Sequence, residues 1–125
     1  GLGDVYKRQG YDIPYAIEIG PGLQIFHIGG IVFSPAKCGK NITLSQNTTV
    51  GMTIHNGKKQ YPVLQDNIYI APGAIIIGDI TVGSDVAIGS NSVLAKSVED
   101  YSVVVGIPGK VISKKGSREY VSNRI

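Results

Sequence analysis

LQDNIYIAPGAIIIGDITVGSDVAIGSNSVLAKSVE, residues 64–99, is the stretch that decides the fold. Large aliphatics recur there every sixth residue without a slip: Leu64, Ile70, Ile76, Val82, Ile88 and Leu94. Four residues after each stand Ile68, Ala74, Ile80, Val86, Ser92 and Val98, all small or β-branched. Three residues after the first five come Asn67, Gly73, Asp79, Asp85 and Asn91, types that tolerate a left-handed backbone at a tight corner. Each hexad therefore reads as a short extended piece with two inward side chains and one corner. A period of six suits neither an amphipathic helix nor an alternating strand. It predicts a parallel β-helix, whose stacked coils bury one continuous core.

The rhythm continues upstream. Hexads begin at Ile13, Ile19 and Ile25, skip one residue at Gly29-Gly30, and resume at Val32, Cys38, Leu44 and Val50. Their inward companions are Ile17, Leu23, Ile42, Thr48 and Ile54, with Gly22, Asn41 and Asn47 at corners. Cys38, facing inward, reads as a small buried apolar residue. From Val50 the next hexad begins at Leu64, so eight extra residues must leave the solenoid within Gly51 to Val63. Asn56-Gly57 suits the tip of such a loop. Insertions in repeat proteins map to loops, often on the binding face; a purely decorative loop is the other reading.

One domain is expected for 125 residues. The β-helix spans 10–112 with its loop at 51–63, and Val103 to Ile112 forms a last partial coil. Residues 113–125 form a basic tail of a helical turn or two, a short C-terminal cap over an end that would otherwise expose strand edges. Residues 1–9 (GLGDVYKRQ) stand outside the rhythm and read as a non-native tail.

Trp is absent, Phe numbers only 2 and Gly 17, so the core must be Ile and Val with glycine serving corners. The net charge of +3 is too mild to argue for nucleic acid. Without residues 1–9, Lys+Arg falls to 10 and Asp+Glu to 8, leaving +2. A single cysteine excludes an internal disulfide framework and fits a reducing, cytoplasmic compartment. The sequence supports neither a membrane span nor a secretory signal.

A sealed core confines chemistry to outward positions and the loop. With eighteen residues per coil, one extra near Gly29 and eight in the loop, His27, Gln46, Pro72, Ser90 and Pro108 align in one outward stripe. Successive coils are about 4.8 Å apart. The stripe has an imidazole at one end and small or hydrogen-bond-poor residues below it. It reads as a shallow track for a long thin ligand, or as a plain solvated face. A neutral imidazole at His27 can take a proton from a hydroxyl, and Asp12, close to one coil away, can fix its tautomer. His55, in the loop, is either a second catalytic group or a solvated histidine.

Other signals fail or stay open. Gly51 to Lys58 has the outline of a phosphate-binding loop, but its spacing has one residue too many and Lys59 stands where Ser or Thr belongs. Two histidines and one cysteine supply no metal constellation, so no metal is expected. Asn41-Ile42-Thr43 and Asn47-Thr48-Thr49 match glycosylation acceptors, yet both asparagines are corner residues. Lys110, Lys114, Lys115 and Arg118 can meet phosphates or form a solvated basic tail.

Ile13 to Ile112 resembles the left-handed β-helix of the hexapeptide-repeat acyltransferases, an exception to the usual right-handed crossover. Within them it is most similar to the serine O-acetyltransferases. The resemblance is carried by Asp12-Ile13-Pro14, by Phe26 to Val32 (FHIGGIV), by Leu44 to Gly51 (LSQNTTVG) and by Gly106-Ile107-Pro108. It implies a homotrimer that binds acetyl-CoA in grooves between neighbouring solenoids and transfers acetyl to the hydroxyl of a small molecule. It implies His27 as general base and Asp12 as its orienting carboxylate, with backbone N–H groups near Gly51 stabilising the oxyanion. Pantetheine would pass Pro72 and Ser90, with Pro108 and Lys110 also on the cofactor side. The acceptor side would involve Phe26, Tyr61 and His55. Phe26 stands where the family usually has Asp, Tyr61 where it has a substrate-contacting His, and Pro35 where it has Glu. Losing those contacts weakens recognition of serine's ammonium and carboxylate. A sugar or surface-polysaccharide hydroxyl is thus an alternative acceptor, and a non-catalytic trimeric scaffold a further reading.

Overall fold

The computed structural model describes residues 11–12, 20–21, 24–25 and 30–120. The chain winds into a left-handed β-helix of three parallel faces. The first face carries Tyr11–Asp12, Ile31–Phe33, Thr49–Gly51, Ile75–Ile77 and Val93–Leu94. The second carries Gln24–Ile25, Ile42–Leu44, Ile68–Ile70, Ala87–Ile88 and Val103–Val105, and the third Lys37–Cys38, Val63–Leu64 and Thr81–Val82. Among the described residues there is no helix.

Register explains the pattern. Leu64 pairs with Val82, Ile70 with Ile88 and Ile76 with Leu94, so each coil of the regular stretch takes eighteen residues. The aliphatics at hexad starts are 0–1% exposed, and Ile68, Ala74, Val86 and Ser92 are fully buried beside them. Buried Ser92 is satisfied, its Oγ accepting the Gly106 N–H at 3.0 Å. Cys38 also points inward, 3% exposed.

Two edges of the prism are built from left-handed corners. At the first, Asn41, Asn67, Asp85 and Tyr101 all have φ between 56° and 65°. Asn41 Nδ2 donates to Asn67 Oδ1 at 2.8 Å, and Asn67 Nδ2 to Asp85 Oδ1 at 3.4 Å, so side chains ladder from coil to coil. At the second edge, Gly30, Asn47, Gly73 and Asn91 alternate glycine with asparagine, all at positive φ. The corner expected at Asp79 is made instead by Gly78, at φ 105°, because glycine alone enters that region freely.

The register slips in three places. Val32, expected inward, is 38% exposed, whereas Ile31 and Phe33 are buried. Ile25 and Phe33 pair with Leu44 and Val50, six residues apart, so the segment between Ile25 and Phe33 holds two extra residues, one more than the single skip expected. A one-residue shift turns every side chain of a strand to its other face. The corner at Ser34-Pro35-Ala36 then drops one residue, restoring Cys38. Near the C-terminal end, Ile88 pairs with Val104 and Val82 bridges to Val98, each sixteen residues apart. Val98 therefore stands beneath Val82 as a hexad start, not as the companion of Leu94.

The extra residues after Val50 form an antiparallel hairpin, Thr53–His55 against Lys58–Gln60, turning on Asn56-Gly57. Ile54, expected inward, lies on this hairpin and is 64% exposed. The C-terminal end also departs from expectation. Lys110–Ser113 folds back antiparallel on Val103–Val105 and covers the last parallel edge. Residues 114–120 then run back along the prism as a strap that ends in a single hydrogen-bonded turn, Tyr120 N–H donating to Ser117 O at 2.8 Å. Buried Ser117 anchors them, its N–H donating to Asp85 O at 3.0 Å and its Oγ to Asn67 O.

Candidate functional site

The second face bears a groove. Its outward column in the central coils is Tyr69, Ala87 and Val103, in register one below another. Two residues further along come Ala71, Gly89 and Val105, tied by Ala71 N–H to Ile88 O at 3.0 Å and Gly89 N–H to Val104 O at 2.8 Å. Small residues on neighbouring lines leave a trough of ≈ 330 Å³, with Ala71, Ala87, Gly89 and Ser90 along its floor. Val105 and Ile112 wall one end. Tyr69 stacks on Tyr120 of the strap, ring centroids 5.0 Å apart at 22°, and walls the other. The trough is therefore chiefly apolar and runs across three successive coils, an arrangement that suits an unbranched chain.

Ser90 lines this trough, and Pro72 stands one coil before it, next to the lining residue Ala71. Gly73 N–H donates to Gln46 O at 3.1 Å and Asn91 N–H to Pro72 O at 3.0 Å, which aligns Gln46, Pro72 and Ser90 in one line as expected. Pro108 does not join them. The last coil is two residues short, so Gly106 takes that place, and Pro108 follows in the turn, after a cis peptide bond from Ile107. Lys110 is exposed and pairs with Val105 of the groove wall.

The remaining expected residues lie elsewhere. Gly51 ends a strand of the first face, buried and paired with Ile77. His55 is exposed at the hairpin tip opposite Lys58, and Tyr61 is half-buried just beyond the hairpin. These three cluster at the third edge, while Pro72 and Ser90 occupy the second. Within one chain the two sets stay apart. Asp12 belongs to the strand whose backbone pairs Asp12 with Val32. His27 and Phe26 lie outside the described residues. Among the described residues no three His, Cys, Asp or Glu side chains group as metal ligands, and no helix is long and apolar enough to cross a membrane.

The sequence reading missed the groove's floor and its aromatic wall. Ala87 and Gly89, small at outward hexad positions, were the available signal. Tyr69 and Tyr120 are 51 residues apart, and no local pattern joins them.

Buried Cys38 is chemically quiet. Burial, with the Asp66 carboxylate adding to it, pushes its thiol up to about 12. It is a core residue and not a nucleophile.

Comparison with known proteins agrees with the geometry. Residues 61–96 match the bacterial transferase hexapeptide (six repeats) family. A serine acetyltransferase of Staphylococcus xylosus is 40% identical over 109 residues, 82% of this chain and 50% of the relative. The chain thus spans about half the length of the curated relatives it matches. The Neisseria gonorrhoeae serine acetyltransferase structure superposes with a TM-score of 0.77 at 32% identity, covering 83% of this chain and 41% of that one. A serine acetyltransferase in complex with CoA gives 0.72 at 31% identity, covering 82% and 41%. With its six-residue rhythm and left-handed coils, the chain carries the bacterial transferase hexapeptide repeat over 61–96 and is similar to the serine acetyltransferases.

Proposed function

We propose that this chain is an acetyl-CoA-dependent O-acetyltransferase of the serine acetyltransferase type. The observation that carries the proposal is the chiefly apolar trough floored by Ala71, Ala87, Gly89 and Ser90, in a fold whose relative was solved in complex with CoA. The thin pantetheine arm would lie in the trough and deliver its thioester to His27, the general base. Asp12 would hold the imidazole in the right tautomer. His27 takes the proton of the acceptor hydroxyl as that oxygen attacks the thioester carbonyl, and the backbone near Gly51 supports the oxyanion. Collapse of the intermediate releases CoA as thiolate, which recovers a proton from the imidazolium.

The division of the site between two edges supports a homotrimer. A neighbouring copy would set Gly51, His55 and Tyr61 of its third edge against Pro72 and Ser90 of the second. Acetyl-CoA as donor and an inert buried thiol suit the cytoplasm.

Serine is the acceptor favoured by the relatives. Pro35, buried at the shortened corner, favours a second reading in which a sugar hydroxyl is acetylated, because no carboxylate is there to meet serine's ammonium. The deciding experiment is acetyl-CoA consumption against L-serine, homoserine and a few sugars. Turnover of L-serine far above the rest supports the first reading, a sugar preference supports the second, and no turnover with any acceptor leaves a non-catalytic scaffold.

A further inference from the structure

Three hollows lie end to end beside the C-terminal strap. The apolar trough shares Val103 and Tyr120 with a second hollow of ≈ 300 Å³. That one shares Lys115 and Arg118 with a third, also ≈ 300 Å³. The walls change character along this path, from Ala87, Gly89 and Val105 to Lys115 and Arg118, with Asn67 and Tyr101 beside them.

The two cationic heads have no carboxylate partner among the described residues. Neighbouring Lys114, by contrast, is engaged with Glu99 Oε2 and Ser102 Oγ, each at 3.2 Å. The backbone between the two cations is fixed by Ser117, which is fully buried and bonded to Asp85 O and Asn67 O. Asp85 also lines the third hollow, and Glu119 the second. Asp85 already accepts from Asn67 Nδ2. A guanidinium fork and an ammonium held on one rigid turn are the pairing that phosphate oxygens recognise.

We propose that Lys115 and Arg118 bind the phosphate groups of a nucleotide-bearing thioester donor whose arm occupies the trough. This rests on the donor reading above and adds the residues that grip the donor's anionic end.

The test compares native protein with a Lys115→Ala/Arg118→Ala variant on acetyl-CoA, acetyl-dephospho-CoA and S-acetylpantetheine, which lacks phosphate. The KM for acetyl-CoA rises about tenfold or more relative to that for S-acetylpantetheine, the scale of one or two lost charge-assisted hydrogen bonds. Added salt narrows the difference between native and variant. A loss shared with acetyl-dephospho-CoA assigns the pair to the diphosphate, one confined to acetyl-CoA assigns it to the 3′-phosphate, and both support the proposal. Equal losses on all three donors, or none on any, overturn it. Lys115→Gln and Arg118→Gln single variants, checked for an unchanged melting temperature, separate lost charge from lost packing. Native protein inert towards every donor removes the donor reading as well; native turnover with an unaltered variant removes only the phosphate site.

Discussion

The side-chain oxygen of Asn91 sits 2.0 Å from where a β-carbon on Gly73 would be. One coil earlier the same relation holds between Asn47 and Gly30. Alternating glycine and asparagine along this edge lets each asparagine fill the space its glycine neighbour leaves empty. Gly73→Ala adds a methyl group at φ 75° and drives it into Asn91. It should destabilise the fold by about 1–3 kcal/mol, the usual cost of strain at such a backbone position. Thermal unfolding measures it, and a melting temperature equal to native would show that the corner relaxes freely.

Ile76 lies in the middle of the stack, fully buried between Val50 and Leu94 in the coils on either side. Ile76→Ala should cost about 2–5 kcal/mol, since rigid coils cannot collapse into the void. Urea unfolding gives the number. A loss below about 1 kcal/mol would mean that the coils repack independently.

Cys38 links stability to alkaline pH. Its folded thiol is pushed up to about 12 from 9.0, so between these values the unfolded chain loses a proton that the folded chain keeps. Stability is complete below pH 9 and falls as pH rises, by up to about 1.4 kcal/mol per pH unit from this group. The melting temperature should therefore decline above pH 9, and less steeply in Cys38→Val. Identical profiles for the two proteins would refute the assignment. Native protein at pH 8 should also resist thiol alkylation until it is unfolded.

His27→Ala should lower acetyl transfer about a hundredfold or more, the scale of a lost general base, while acetyl-CoA binding persists. Steady-state rates and a binding titration separate the two effects. An unchanged rate removes His27 from the mechanism.

The repeat was legible because burial enforces it. Every hexad start from Leu64 to Leu94 is in the core, and six left-handed corners fall on the Asn, Asp and Gly positions that the rhythm marks. What escaped was whatever depends on counting through an irregular corner. Val32 in place of Phe33 follows from one uncounted residue between Ile25 and Phe33, and Pro108 in place of Gly106 from two missing residues after Leu94. Tyr101, left-handed at φ 65°, carries no residue-type signal, because its corner is imposed by the coil above. The groove was partly legible: Ser90 follows from the period, whereas the Tyr69–Tyr120 wall joins residues 51 apart through the strap.

The third edge of the prism holds a five-residue step from Phe33 to Cys38, the hairpin between Val50 and Leu64, a regular step to Val82 and a four-residue step to Val98. Within this span the other two edges keep strict time. From Phe33 to Val98, length variation is thus channelled to a single seam, where segments can be gained or lost while the trough on the opposite face stays in alignment. Such a scaffold can exchange its hairpin as a cassette without disturbing the stacked coils that shape the trough.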